Sequence, residues 1–331
     1  MTPFHHLLIN NLIASITNFT VWFAVTFWVF LETKSVFATG MIAGIYLVLT
    51  AALAIWFGSL VDHHRKTRVM MVSSAASLLL YGASLAGYFL APAGSIAKIA
   101  AAPLWLFLFV VMLGVIAGNL RNIALPTLVT LLVPEDRRDK ANGLVGMVTG
   151  IGFLTTSAIS GFLVAWGGMV ATLGFAIVLS ALTMLHLAFV QVDEQVPADT
   201  HDEPKRVDLA GTVRVVGAVP GLFALIFFAA FNNLLGGVFM ALMDAYGLSL
   251  MKVEEWGLLW AVISCAFILS GMVIARTGLG ANPVRTLLFV NLAAWIVAVF
   301  FTIQSSIPLL TVGCFIWMFL GPYGRAAEKA G

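Results

Sequence analysis

The sequence predicts an all-α polytopic membrane protein, and three observations support this fold class. Hydrophobic residues make up 61% of the chain and charged residues only 10%, whereas soluble domains carry roughly a quarter charged residues. Apolar runs of roughly 20 residues, the length that crosses a bilayer, recur along the whole chain. The basic residues gather in alternate connections between these runs.

About ten transmembrane helices are predicted. A polar segment with several acidic residues and prolines, 192–217, indicates a cytoplasmic linker that contains a short surface helix beginning at Asp208. The linker divides the chain into an N-terminal bundle of six helices (1–191) and a C-terminal part of four (218–331). The predicted helices cover residues 6–30, 36–61, 69–91, 101–131, 141–166, 170–190, 221–243, 255–275, 286–304 and 307–325.

The first apolar run is predicted to be a retained membrane helix. No basic segment precedes it, and it is longer than the apolar region of a cleaved signal peptide. Asn11 and Asn18 in this run are seven residues apart and therefore lie on one helix face. That face either lines a cavity or makes hydrogen bonds to packed helices, and the sequence leaves both open.

A short charged stretch, Gly58 to Arg68, separates the second and third apolar runs and must turn the chain at one membrane surface. Its basic residues place this surface in the cytoplasm by the positive-inside rule. Counting the basic residues of all connections places both termini in the cytoplasm as well. We expect the membrane to be the plasma membrane, in particular a bacterial inner membrane.

The fourth run contains Arg121 beside Asn122. Two interpretations are open: Arg121 extends to the cytoplasmic interface along its own side chain, or it is buried and faces an aqueous pathway, an anionic group or a carboxylate. The fifth run is rich in glycine and serine, which lets a neighbouring helix approach closely.

The remaining polar residues of the apolar runs suggest further candidates. Asn232 and Asn233 in the seventh run are candidates for a substrate cavity, as are Asn11 and Asn18 of the first run and Arg121 and Asn122 of the fourth. Glu32 and Asp244 lie near the outer ends of their helices and are the candidates for proton coupling. The histidines, cysteines and acidic residues form no known catalytic or metal-binding spacing, so we expect a protein that is not an enzyme, without a metal or cofactor.

Weak internal similarity relates the two parts of the chain. Asn10-Asn11-Leu12 corresponds to Asn232-Asn233-Leu234, and the stretch after Gly58 corresponds to one that begins at Gly271 and includes Arg276 and Gly278. Internal repeats are common in secondary transporters. The similarity predicts two related six-helix halves, of which the second lacks its last two helices in this sequence.

The stretch from Gly58 to Arg68 also resembles a motif of the major facilitator superfamily, the loop G-x-x-x-D-R-x-G-R-x-R/K between the second and third helices. Glycine, acidic and basic residues match at four positions, whereas His63 and Arg65 replace the usual Arg and Gly. The passage from Pro126 to Asn142 resembles that of the multidrug and macrolide exporters of this superfamily. The resemblance implies that the stretch is a conformational gate, formed by Gly58, Asp62, His63, Arg65, Lys66 and Arg68.

The resemblance further implies a two-bundle permease, six plus four helices of an original twelve, which exports small amphipathic compounds such as drugs or macrolides. Proton antiport by alternating access is the implied mechanism, in a monomer whose partners are the solute, protons and the lipid bilayer, and not nucleic acid. Two alternatives are a non-transporting truncated remnant and a membrane scaffold or sensor that retains the fold.

Overall fold

A computed structural model of the chain describes residues 3–92, 94–132, 138–190, 217–218, 221–277 and 283–330. Over these ranges the chain forms nine α-helices. They are α1 (Pro3–Thr33), α2 (Val36–His63), α3 (Lys66–Leu90), α4 (Ala102–Leu132), α5 (Arg138–Phe189), α6 (Leu222–Leu250), α7 (Val253–Thr277), α8 (Pro283–Thr302) and α9 (Ile307–Ala330). The predicted linker and its surface helix at Asp208 lie almost wholly outside these ranges.

The long helix α5 consists of two arms. Its regular geometry is interrupted at Gly167 and Gly168, and Gly168 has a φ of 57°, a left-handed conformation that glycine adopts at little cost. The chain reverses here, so the arms 138–166 and 169–189 can each cross a bilayer. The two helices predicted at 141–166 and 170–190 are confirmed as these arms.

Eight helical segments of the described residues are long and apolar enough to cross a membrane, when the two arms of α5 count as one segment. The C-terminal part of α6, Leu234–Leu250, is a shorter apolar helix. The multi-pass membrane fold is therefore confirmed. The count of ten transmembrane helices stays a prediction.

The turn between α2 and α3 is shorter than the sequence indicated, because only His64 and Arg65 lie outside helices. The Lys66 ammonium is buried and donates to the carbonyl of Val61 and, at 3.2 Å, to that of His64. A cation that binds the last carbonyls of a helix stabilises its C-terminus. This interaction explains why α2 continues two residues beyond its predicted end at 61.

The order of the helices defines two ends of the molecule. We call the end that carries Lys34 and Ser35 the α1–α2 end, and the end that carries His64 and Arg65 the α2–α3 end. The chain from α1 to α5 forms the first half, and α6 to α9 form the second half. Helices α6 and α7 pack against α1, α2 and α5 across the boundary, so the two halves share one apolar core.

Candidate functional site

Two glycines bring the halves into backbone contact. A Cβ atom at Gly161 of α5 would lie 2.7 Å from the carbonyl oxygen of Val253, and one at Gly257 of α7 would lie 2.7 Å from that of Ser157. No side chain fits between the helices at this crossing. The small residues of the fifth predicted helix therefore provide the close approach that their spacing predicts.

A buried carboxylate lies beside this crossing. Asp244 of α6 is 5% exposed, and its Oδ1 accepts hydrogen bonds from the indole N–H groups of Trp256 (3.1 Å) and Trp260 (3.0 Å) of α7. The Thr26 hydroxyl of α1 lies beside this carboxylate and donates to the carbonyl of Phe23 (2.9 Å). We call Thr26, Asp244, Trp256 and Trp260 the Asp244 contact; it joins the two halves.

Aromatic rings surround the Asp244 contact. The ring centroid of Trp260 lies 5.8 Å from that of Phe23 in α1 and 6.4 Å from that of Phe153 in α5. Within the described residues, no basic side chain lies within ion-pair distance of Asp244. An ionised carboxylate in such surroundings is costly, so a proton or a partner from outside is expected to change its interactions.

A second polar group lies within the first half, towards the α2–α3 end. Arg121 of α4 is 2% exposed and donates from Nη1 to Asn10 Oδ1 and from Nη2 to Ser74 Oγ, at 2.6 Å each. Asn10 in turn donates to the carbonyl of Thr183 (2.8 Å) and lies 3.1 Å from His186 Nδ1. We call these five residues the Arg121 cluster.

The structure thus buries Arg121 and removes the alternative in which the side chain extends to the interface. Within the described residues both hydrogen-bond partners of its guanidinium are neutral, and Nε has no partner there. Breaking or omitting a buried charge pair costs about 3–5 kcal/mol. The Arg121 cluster therefore holds a buried charge that no described carboxylate pairs.

Asn11 and Asn18 of the first helix take different roles. Asn18 donates to Asn119 Oδ1 (2.8 Å) and accepts from the Tyr81 hydroxyl (3.0 Å), which ties α1 to α3 and α4. Asn119 donates to the Tyr46 hydroxyl at 2.6 Å. Asn11 is buried with no hydrogen-bond partner for its Oδ1. The asparagine face therefore both binds neighbouring helices and lines a cavity.

Two small cavities adjoin these groups. One, of ≈ 20 Å³, is lined by Arg121, Ser74, Asn18 and other polar residues of α1, α3, α4 and the second arm of α5. The other, of ≈ 10 Å³, is lined by Arg121, Asn11 and Asn18 among others. Roughly 10–15 Å³ suffices for one water molecule, so both cavities admit only small occupants.

The second half has a smaller polar group in a corresponding place. Asn232 of α6 donates to Asn291 Oδ1 (2.6 Å) and accepts from the indole N–H of Trp295 (2.9 Å). Asn10 and Asn232, which the internal similarity pairs, are thus both centres of interhelical hydrogen bonds.

The other sequence candidates are not brought together. Glu32 is exposed near the α1–α2 end, and a Cβ atom at Gly58 or at Gly271 would have no neighbour within 4 Å. His63, Arg65 and Arg68 are exposed at the α2–α3 end. Outside the described part of the chain lie Gly278 and the side chains of Asp62, Asn122, Asn233 and Arg276.

Sequence reasoning missed most partners of the two buried charged residues. Asn10, Ser74 and Trp260 were not among the candidates, because neutral residues of membrane helices are usually packing residues. One signal was available: Trp256 and Trp260 are four residues apart and share a helix face, which suits two N–H donors for one acceptor.

Solved structures of other transporters share this fold. A bacterial homolog of the human lysosomal transporter Spinster, in an inward-facing and unoccupied conformation, has 15% sequence identity and a TM-score of 0.66, over 100% of this chain and 75% of that one. A bacterial homologue of the iron transporter ferroportin, in an inward-facing state, has 16% identity and a TM-score of 0.67, over 99% and 82%.

A D-xylose–proton symporter is similar at 13% identity and a TM-score of 0.65, over 98% of this chain and 80% of that one. Identities this low show the fold alone. Comparison with curated protein sequences finds no match. A family model described as Major Facilitator Superfamily matches residues 7–324, which is nearly the whole chain, and the protein therefore belongs to the major facilitator superfamily.

Proposed function

We propose that this protein is a secondary active transporter that moves a small amphipathic solute by alternating access. The observation that carries the proposal is the contact between the halves, where Gly161 meets Gly257 and Thr26 of the first half lies beside Asp244 of the second. Both features lie towards the α1–α2 end. A transporter that exposes its site alternately must break such a contact in each cycle.

We assign the described conformation to the state that is closed at the α1–α2 end. The positive-inside rule makes this the outer end, because the basic connections lie at the opposite end. Two of the structurally similar transporters are described as inward-facing, which agrees with this assignment. In this scheme the helix ends around Asp62 form the gate at the cytoplasmic side.

Asp244 is our candidate for the coupling residue. It is buried at the boundary, whereas Glu32, the other acidic candidate, is exposed. A proton on Asp244 removes the negative charge that the indole N–H groups of Trp256 and Trp260 stabilise. Protonation therefore changes the relative free energies of the closed and open states, which is the requirement for a proton gradient to drive transport.

The exporter-like sequence features favour export as the direction of transport. Proton antiport is the coupling mechanism that they imply. Aromatic rings such as Phe23, Phe153 and Trp260 at the boundary suit an apolar part of the solute. Drugs and macrolides are compounds of this kind.

The test is transport of a hydrophobic fluorescent dye by the purified chain in proteoliposomes. We expect an imposed proton gradient to drive dye movement. Asp244→Asn should reduce this movement by about tenfold, because a change of ~1.4 kcal/mol in the free energy that couples protonation to the conformational change alters the equilibrium constant tenfold. Exchange of dye across the membrane without a gradient should continue in this variant. Loss of both activities would indicate a structural role for Asp244.

Glu32→Gln is the matched control, since it neutralises an exposed carboxylate at the same end. It should leave gradient-driven transport unchanged. Equal loss in both variants would reject Asp244 as the specific coupling residue. If the folded wild-type protein moved no dye under any gradient, the transport proposal for this class of solute would fail and a scaffold or sensor would be favoured.

A further inference from the structure

The Arg121 cluster contains a buried positive charge that no described carboxylate compensates. Its hydrogen-bond partners are the side chains of Asn10 and Ser74. The nearest described acidic residue along α1 is Glu32, which follows Asn10 by 22 positions, ~33 Å along a helix axis. Asp244 also lies towards the α1–α2 end. Among the described residues, no carboxylate therefore lies beside Arg121.

Two donors without an acceptor belong to residues that line the larger cavity beside the cluster. Arg121 Nε–H has no partner, and the Ser74 hydroxyl, which accepts from Nη2, keeps its own hydrogen for donation. Both side chains line the ≈ 20 Å³ cavity, together with Ser77 and Ser180. Donors without a matching acceptor are typical of a site for a negatively charged group.

The size and place of the cavity restrict its occupant. A volume of ≈ 20 Å³ exceeds the roughly 10–15 Å³ that one water molecule requires, but it is far too small for an amphipathic solute. The lining residues belong to α1, α3, α4 and the second arm of α5, all within the first half. The cavity is thus separate from the boundary where solute is proposed to bind.

We propose that this cavity binds a small monovalent anion of the size of chloride, held by Arg121 Nε–H and the Ser74 hydroxyl. The bound anion neutralises the buried guanidinium and connects α3 with α4. It acts as a structural ligand that stabilises the first half, and this role does not depend on which solute the protein transports.

Thermal unfolding of the purified full chain in detergent tests the proposal. Chloride replaces gluconate stepwise at constant sodium concentration while tryptophan fluorescence reports unfolding. Because a ligand that binds only the folded state raises the midpoint with saturation, we expect a rise of about 2–4 °C. Bromide should act similarly. A change that is absent, or linear without saturation, would overturn the proposal in favour of water as the occupant.

Two variants locate the effect. Arg121→Gln should abolish the chloride-dependent rise, whereas Arg285→Gln, which removes one exposed arginine of the second half, should retain it. Retention in Arg121→Gln would contradict the assignment. If Arg121→Gln does not fold, Ser74→Ala should weaken the chloride dependence, and ³⁵Cl line broadening by the wild-type protein should show saturable exchange that bromide suppresses.

Acetate distinguishes a free anion from the carboxylate of a larger molecule. It should raise the unfolding midpoint less than chloride at equal concentration, because its two oxygens and methyl group exceed the cavity. An effect of acetate without an effect of chloride would contradict the proposal of a monatomic anion.

Discussion

Gly161→Ala is expected to shift the protein away from the conformation that is closed at the α1–α2 end. The new methyl group would lie 2.7 Å from the backbone oxygen of Val253, which cannot rotate away as a side chain can. Overpacking of this kind costs about 1–3 kcal/mol, which corresponds to about a 5- to 150-fold change in a conformational equilibrium. We expect dye transport to fall by a similar factor.

Gly257→Ala should have the same effect from the opposite side, because its methyl group would lie 2.7 Å from the Ser157 carbonyl oxygen. Gly174→Ala is the control. Gly174 belongs to the second arm of the same helix and has no neighbour within 4 Å of a Cβ position. The measurement is initial transport rate per folded protein in proteoliposomes. Unchanged rates in both boundary variants would show that this crossing is not critical for the cycle.

Gly247→Ala is expected to disturb the Asp244 contact without changing any of its residues. A Cβ atom at Gly247 would overlap the Trp256 ring, which is completely buried and donates to Asp244. The ring must move, so its hydrogen bond should lengthen or break. Overpacking and the lost bond together cost about 2–4 kcal/mol.

We expect Gly247→Ala to lower the thermal unfolding midpoint in detergent by about 5–10 °C, since 1 kcal/mol corresponds to about 2–4 °C for chains of this order of size. The fluorescence of Trp256 should change as well. Gly236→Ala in the same helix is the matched control, because nothing lies within 4 Å of a Cβ there. An equal effect of the control would indicate a general intolerance of α6 to substitution and not a specific contact with Trp256.

The sequence predicted the membrane fold and the boundaries of its helices well, because bilayer thickness sets the length of an apolar run and unsatisfied backbone groups require helices. The reversal at Gly167 and Gly168 lies between the helices predicted at 141–166 and 170–190. The end of α2 was predicted two residues too early, since the helix continues past 61 to His63. Capping by Lys66 explains this difference.

The sites were less predictable, because they depend on which faces of distant helices meet. Arg121 and Asp244 are visible in the sequence as isolated charges, but the sequence does not indicate that Arg121 contacts Asn10, 111 positions away. Nor does it indicate that Thr26 lies beside Asp244. Interhelical partners of this kind carry no local pattern, whereas the close crossing at Gly161 was signalled by the abundance of small residues.

The central claim is that the two halves separate and rejoin at the α1–α2 end. Spin labels at Lys34→Cys and Ser305→Cys, both exposed at this end, allow the distance between the halves to be measured by double electron–electron resonance. Cys265 and Cys314, the free cysteines of the described residues, are replaced first. The protein is measured in lipid nanodiscs with and without Asp244→Asn.

We expect two distance populations, a shorter one that matches the described conformation and a longer one, with their ratio altered by Asp244→Asn. This result would show that the end opens and that Asp244 influences the equilibrium. A single distance, unchanged by the substitution and by solution pH, would contradict alternating access by movement of these halves.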